Sequence, residues 1–286
     1  MTYGTLYLVG TPIGNLGDMT YRAIATLQAA DLIAAEDTRH TGKLLKHFQI
    51  STPQISYHDH NRHQRQGQLI EKLLNGTNIA LVSDAGMPGI SDPGFELVAS
   101  CVEAQITVVP IPGVSAGITG LVASGLSPEK FVFEGFLPTK KKQRSEILQQ
   151  LQTETKTIIF YEAPHRLVKT LQEFLDYFGG DRPIVCAREL TKLHEEFWRG
   201  TITTALQHYQ TLAPRGEFTI ILSGSPPLNN ATISDEMICQ NLQELVESGL
   251  SKSQASRELA AQLKLSRRYI YQLSNNLANT PENSSD

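Results

Sequence analysis

Over the first 120 residues, short aliphatic runs alternate with longer stretches in which apolar positions recur every three or four residues. That alternation is the pattern of strand and helix units wound around a mostly parallel sheet. The runs predict strands at 5–9, 32–35, 54–57, 79–83 and 106–109, and the periodic stretches predict helices at 21–29, 61–74, 94–104 and 114–124. Three Gly- and Pro-rich links, GTPIGNLGD, DAGMPGISDPG and PIPGVSAG, each follow a strand's C-terminal end, where open α/β sheets bind ligands. A composition break at SGLSPEK opens a second pattern, with strands at 131–136, 157–161, 184–188 and 218–223 and helices at 141–151, 164–177 and 203–209. A segment around 197–201 adds an antiparallel strand, making this second sheet mixed. Beyond GSPPLNNAT the chain reads as wholly helical, with Ser234, Ser251 and Ser266 as N-caps.

The expected fold class is therefore α/β, as two α/β domains with a cleft between them and a small C-terminal helical appendage. The boundaries fall at 1–122, 123–226 and 232–279, with 280–286 disordered. In the appendage, Ala255, Leu259, Leu263, Leu265, Ile270 and Leu273 are spaced to pack two short helices across a tight turn, as in a helix-turn-helix. Its basic face reads equally well as a solvated surface or as an RNA contact.

Composition narrows the function classes. The chain has 286 residues, 40% of them hydrophobic, enough for two cores. Its three cysteines, Cys101, Cys186 and Cys239, are widely spaced and odd in number, which points to a reducing, cytoplasmic setting and away from a disulfide framework or thiolate zinc site. No apolar run approaches the roughly 20 residues of a membrane span. A formal charge of −4 argues against indiscriminate coating of nucleic acid. Basic residues are instead concentrated, at Lys140, Lys141, Lys142 and Arg144, and at Lys252, Arg257, Lys264, Arg267 and Arg268, so an RNA partner would be gripped locally.

Candidate chemistry gathers at the strand ends. The first loop imitates a dinucleotide fingerprint, but Pro12 and Ile13 stand where a pyrophosphate needs flexible glycine. At the end of the second strand Glu36, Asp37, Arg39 and His40 crowd together, an arrangement costly to leave half-buried unless it is a site. The YHDHNRH segment carries His58, His60, Asn61 and His63. It lacks a recognisable metal pattern, so substrate or RNA-backbone contact is the favoured use, with Asn61 also suited to cap the next helix. In the third loop Asp84 is placed to accept hydrogen bonds from a ligand, and Asp92 reads as a helix cap. The fourth offers backbone N–H groups at Ser115 and Ala116. Tyr161, Glu162, His165 and Arg166 end one strand of the second domain, and Arg188, Glu189, Thr191 and Lys192 end another.

Taken in order, TPIGNLGD, AAEDTRHT, HDHN, ALVSDAGMPGISDPG, FYEAPHR and ARELTK resemble the tetrapyrrole-methylase superfamily of S-adenosylmethionine-dependent methyltransferases. More narrowly they resemble the branch that 2′-O-methylates a cytidine ribose in small-subunit (16S) ribosomal RNA. The resemblance implies S-adenosylmethionine folded into the cleft against Pro12, Ile13, Asp84, Gly86, Ile90, Ser115, Ala116, Tyr161 and Thr219. It also implies small-subunit ribosomal RNA as partner, a homodimer, and no metal, because an activated sulfonium needs chiefly an aligned acceptor. Candidates for taking the ribose proton are Asp37, Glu189 and His58, with Arg39, His60, Asn61, Arg166 and Lys192 holding the substrate. The competing readings are a methyltransferase acting on a tetrapyrrole and a non-catalytic RNA-binding module of ribosome assembly.

Overall fold

A computed structural model describes residues 2–226, 235–263 and 266–276, which fall into two compact units, one ending at Ser225 and one beginning at Pro226. In the first unit the chain runs β1 (Thr5–Val9), α1 (Tyr21–Ala29), β2 (Leu32–Ala35), α2 (Thr38–His47), β3 (Gln54–Ser56), α3 (Arg62–Leu74), β4 (Ile79–Val82), α4 (Phe95–Glu103), β5 (Thr107–Ile111) and α5 (Ala116–Ser124). It continues through β6 (Phe131–Phe136), α6 (Lys141–Leu151), β7 (Thr157–Glu162), α7 (Pro164–Phe178), β8 (Pro183–Arg188), β9 (Glu196–Thr201), α8 (Ile202–Thr211) and β10 (Phe218–Leu222).

The first five strands form a parallel sheet in the order β3-β2-β4-β1-β5. Its strands are apolar on both sides because helices cover both faces. Ala23 and Leu27 of α1 and Leu45 of α2 pack with Val9, Ile33 and Val82 on one face, and Leu69 and Leu73 of α3 and Leu97 of α4 pack with Leu6, Ala34 and Leu81 on the other. Each such side chain withdrawn from water contributes about 1.5–3 kcal/mol, which is what fixes the helices to the sheet.

One helix, α2, was not expected. Its ten residues, TRHTGKLLKH, hold so few aliphatic side chains that charge hides the period, yet Thr41 and Leu45, four apart, are its buried positions. Asp37 caps it, accepting the Arg39 N–H at 2.8 Å.

The second sheet has the order β6-β7-β10-β8-β9, parallel between β6 and β7 and antiparallel elsewhere, and so is mixed as expected. Helices α6, α7 and α8 bury Leu148, Leu171, Phe174 and Leu206 on one face. The opposite face is met by α5, whose Leu121 packs with Ile159, Val185 and Ile221, and by Ile13 from the first loop. A helix that follows the last strand of the first sheet thus packs on the second.

The second unit contains α9 (Asp235–Glu247), α10 (Lys252–Leu263) and α11 (Arg267–Asn276) around Ile238, Leu242, Ala255, Leu259, Ile270 and Leu273. Ser251 caps α10, its hydroxyl accepting the Gln254 N–H while the Gln254 side chain accepts the Ser251 N–H. Ser234, Lys264, Leu265 and the terminal seven residues lie outside the described residues.

The ends of β1 and β5 meet backbone to backbone. A Cβ on Gly10 would stand 2.7 Å from the Gly113 Cα, and one on Gly113 would stand 2.8 Å from the Gly10 Cα. Overfilling of this kind costs about 1–3 kcal/mol. Gly113→Ala is accordingly expected to lower the melting temperature by several degrees in differential scanning calorimetry, and an unchanged melting temperature would show that the two strand ends move apart freely.

Candidate functional site

In the order β3-β2-β4-β1-β5 the connections after β1 and β4 leave in opposite directions, which makes the gap between those two strands the ligand crevice of the sheet. Just beyond it the first and third loops pair: the Thr11 N–H donates to the Gly86 carbonyl at 2.9 Å and the Gly86 N–H to the Thr11 carbonyl at 3.1 Å. The Thr11 hydroxyl donates to the Ser83 carbonyl at 3.2 Å. Gly86 has φ +80°, the left-handed region in which a side chain would be strained.

A cavity of about 570 Å³ lies on one side of this pair, between the first sheet's loops and the open face of the second sheet. Ile13, Gly86, Ile90, Ser115, Ala116, Tyr161 and Thr219, all expected to hold the cofactor, line it together. Pro12 and Asp84 line instead a second cavity of about 250 Å³, with Thr11, His40, Lys43, Leu44 and Ser83. The expected substrate and acid–base residues Asp37, Arg39, His58, His60, Asn61, Arg166, Glu189 and Lys192 line neither cavity.

Their hydrogen bonds explain what they do. The Arg39 guanidinium grips Asp37 at 2.7 Å, and its hydrogen bonds hold that carboxyl well below the usual carboxylate range. Glu189 accepts the Lys192 ammonium at 2.9 Å and the Glu217 N–H at 3.0 Å. Burial opposes ionisation there, but those donors outweigh it and hold the carboxyl below its ordinary value. Lys192 also reaches Glu217 at 2.8 Å, and its stem lies against Gly14, where any side chain would collide with it. Glu189 and Thr191 have φ of +52° and +68°, so the ARELTK loop is strained and held by these contacts, with Leu190 carried into the larger cavity.

His58 and Asn61 form a closed turn, the Asn61 Oδ1 accepting the His58 N–H at 2.9 Å and its Nδ2 donating to Ser56. Asn61 precedes α3 but its side chain does not cap the helix, because the turn has claimed it. His60 packs edge-on against the His58 ring, 6.0 Å between centroids. Asp92 does not cap α4 either; Gly94 occupies the cap position and the Asp92 carboxylate lines the larger cavity.

Arg144, read from sequence as part of a basic surface knot, is buried. It pairs with Glu173 and donates to the Thr170 hydroxyl at 2.6 Å, and that hydroxyl donates to Glu162 at 2.5 Å. Arg166 pairs with Glu162 at 3.3 Å and donates to the Leu137 carbonyl at 2.6 Å. The network neutralises Glu162, whose side chain is only 1% exposed, and holds it in the cavity wall beside the start of α7. Lys140, Lys141 and Lys142 remain exposed.

Three carboxylates, from Asp92, Glu162 and Glu217, thus face the larger cavity. Glu162 and Glu217 have cationic partners; Asp92 has none among the described residues, and burial pushes its carboxyl above its ordinary value, with Asp84 adding to the rise against a Ser83 hydrogen bond. Burial raises Glu36 too, while the Asp84 N–H it accepts at 3.2 Å opposes that rise. Tyr161 stands over the floor, its hydroxyl accepting the Gly117 N–H at 3.0 Å and its ring meeting Phe133 and Phe136 edge-on.

The family model for tetrapyrrole (corrin/porphyrin) methylases matches residues 5–206, spanning the whole first sheet and most of the second. The chain belongs to the tetrapyrrole methylases. Among relatives, the ribosomal RNA small subunit methyltransferase I of Synechocystis sp. is 59% identical over 271 residues, covering 95% of this chain and 97% of that protein. The protein of the same name from Bacillus subtilis is 45% identical over 275 residues, covering 94% and 93%. A solved uroporphyrin-III C-methyltransferase from Thermus thermophilus shares the fold, with TM-score 0.56 at 18% identity over 77% of this chain and 94% of that one.

S-adenosylmethionine is the donor of these methylases, and the cavity's chemistry suits it. The volume is within the usual range for such ligands, the floor is apolar, and a sulfonium cation would meet carboxylates, with His165 the one basic side chain in the lining among the described residues. The sequence pattern marks His165 as strand-end chemistry but reads Asp92 as a cap and gives no signal for Phe136 or Leu190 in the site. Only the pairing of the two sheets brings them together.

A carboxyl whose folded pKa is raised contributes stability below its unfolded pKa, and that contribution is lost as pH rises through the folded value. Asp92→Asn should therefore melt higher than the parent at pH 7, with the difference closing as pH falls towards 4. An offset independent of pH would mean that the Asp92 charge carries no cost.

Proposed function

We propose that the chain transfers the methyl group of S-adenosylmethionine to a 2′-hydroxyl of a cytidine ribose in small-subunit ribosomal RNA. The reading is supported by relatives 45–59% identical along nearly their whole length that are named ribosomal RNA small subunit methyltransferases. The observation that carries it at the site is the cavity between the two sheets, anionic towards a cationic donor and lined by seven of the nine residues expected there.

The bound donor supplies an electrophilic methyl carbon on a positively charged sulfur. The protein's part is then to hold donor and acceptor in line and to take up a proton as the oxygen attacks. Tyr161, Phe136 and Leu190 give the donor an apolar seat, and Ser115 and Ala116 bring the start of α5 against it. A carboxylate held ionised by a cation is a weak base, which suits Asp37 and Glu189 to positioning Arg39 and Lys192. His58 lies outside both cavities. Asp92, half-buried in the cavity without a cation among the described residues, is the stronger base, and proton uptake is assigned to it. Arg39 and the exposed lysines 140–142 remain available to phosphates. On this reading residues 1–122 and 123–226 supply the two walls, and the helical unit at 232–279 adds an RNA contact through exposed Lys252 and Arg257.

A cytoplasmic location and a pair of chains complete the reading. No helix among the described residues is long and apolar enough to cross a membrane. Ile118 and Val122 of α5 and Phe131 and Phe133 of neighbouring β6 expose an apolar surface that a second copy would cover.

Titration calorimetry with S-adenosylmethionine, followed by tritiated methyl transfer onto purified small subunits, tests the proposal. Binding and labelling of a ribose 2′-oxygen are expected; binding without labelling would overturn the acceptor, and no binding would overturn the activity. Asp92→Asn should lower single-turnover transfer about 100-fold or more, in the range of general-base effects. Asp37→Asn and Glu189→Gln should keep more of it, and the reverse order would return proton uptake to those two residues.

A further inference from the structure

The second cavity is separate from the donor's seat. Pro12 and Asp84 line it while their chain neighbours Ile13 and Ala85 line the larger cavity, so the paired first and third loops form a partition with a cavity on each side. Its volume of about 250 Å³ is the room of about eight waters at ~30 Å³ each, enough for a sugar with a phosphate.

Its walls differ in kind from the first cavity. Leu16 and Leu44 with Pro12 give an apolar side. His40 and Lys43, on the first two turns of α2, stand at the exposed side, and neither side chain has a partner among the described residues. Asp84 faces them from the third loop. One of its oxygens accepts the Asp37 N–H at 3.1 Å, and the other has no partner among the described residues. A ligand that satisfies this set presents a hydroxyl to a carboxylate oxygen and an anion to a histidine and a lysine. Arg39, on the same helix, does not line this cavity, and its guanidinium pairs with Asp37 at the surface.

We infer that this second cavity seats a ribose-phosphate unit of the RNA, with Asp84 accepting a sugar hydroxyl and Lys43 and His40 facing the phosphate. The inference rests on the RNA reading above and gives it a docking point next to the donor. It moves Pro12 and Asp84 from the donor's side of the partition to the acceptor's. It also explains why α2 carries basic residues on a turn that faces a cavity: the helix presents them across the partition from the sulfonium rather than beside it, where like charges would repel.

The test uses the full chain, purified small subunits and S-adenosylmethionine. Lys43→Glu and the double variant His40→Ala/Lys43→Ala are compared with Leu44→Trp, which fills the cavity from its apolar side. Circular dichroism and melting temperature verify folding. The expected result is a KM for subunits raised about 10-fold or more in each, with the S-adenosylmethionine Kd within about 2-fold of the parent. The double variant should also lower the slope of log affinity against log salt by about one, as loss of a phosphate contact does. An unchanged KM and salt slope in all three, with the parent chain active, would overturn the inference and leave the RNA reading standing. A raised S-adenosylmethionine Kd with unchanged KM would overturn it in favour of a single donor site spanning both cavities. A parent chain that transfers no methyl to subunits would overturn the RNA reading itself, and this inference with it.

Discussion

Beyond the ends of β1 and β4 the backbones of Thr11 and Gly86 exchange two hydrogen bonds, and much of the site's geometry depends on that exchange. The pair stands at the point where the first sheet's connections diverge, so both loops are free of helices there and can turn towards the second sheet. Its formation needs Gly86 in a left-handed conformation and lets Gly10 touch Gly113, which places the first, third and fourth loops side by side. Ile13, carried on the first loop, then packs on the second sheet with Leu121 of α5. The cavity is what this junction leaves unfilled.

Charge around the cavity is compensated unevenly. Glu162 is sunk in a network of two arginines and a threonine, an arrangement in which loss of one partner is costly, and Glu217 is tied to Lys192. Those carboxylates are structural as much as functional. Asp92 is left half-buried without a cation among the described residues, a destabilising arrangement in the absence of a ligand and a useful one when a cationic donor and a proton must be received.

The sheets were readable because buried parallel strands such as IALV and LIAA give unbroken apolar runs, and all ten described strands of the first unit begin and end within two residues of the runs that predict them. Helix α2 was missed because cations occupy most of its surface and its buried face is only Thr41 and Leu45. The donor loops were legible from glycine and proline at strand ends, whereas the acid–base residues were not. Asp37, Glu189, Arg144 and Arg166 all read as available charge, and the fold engages them in ion pairs with residues distant in sequence or within four positions along the chain. A sequence shows which residues are charged, but not which are already paired, and Asp92 emerged only by that difference.

Amide hydrogen exchange with and without S-adenosylmethionine tests the central claim most directly. If the donor sits between the sheets, protection should rise together in the first, third and fourth loops of the first sheet and in residues 161–165 and 217–219 of the second. Protection confined to the loops of one sheet would contradict a donor site shared by both.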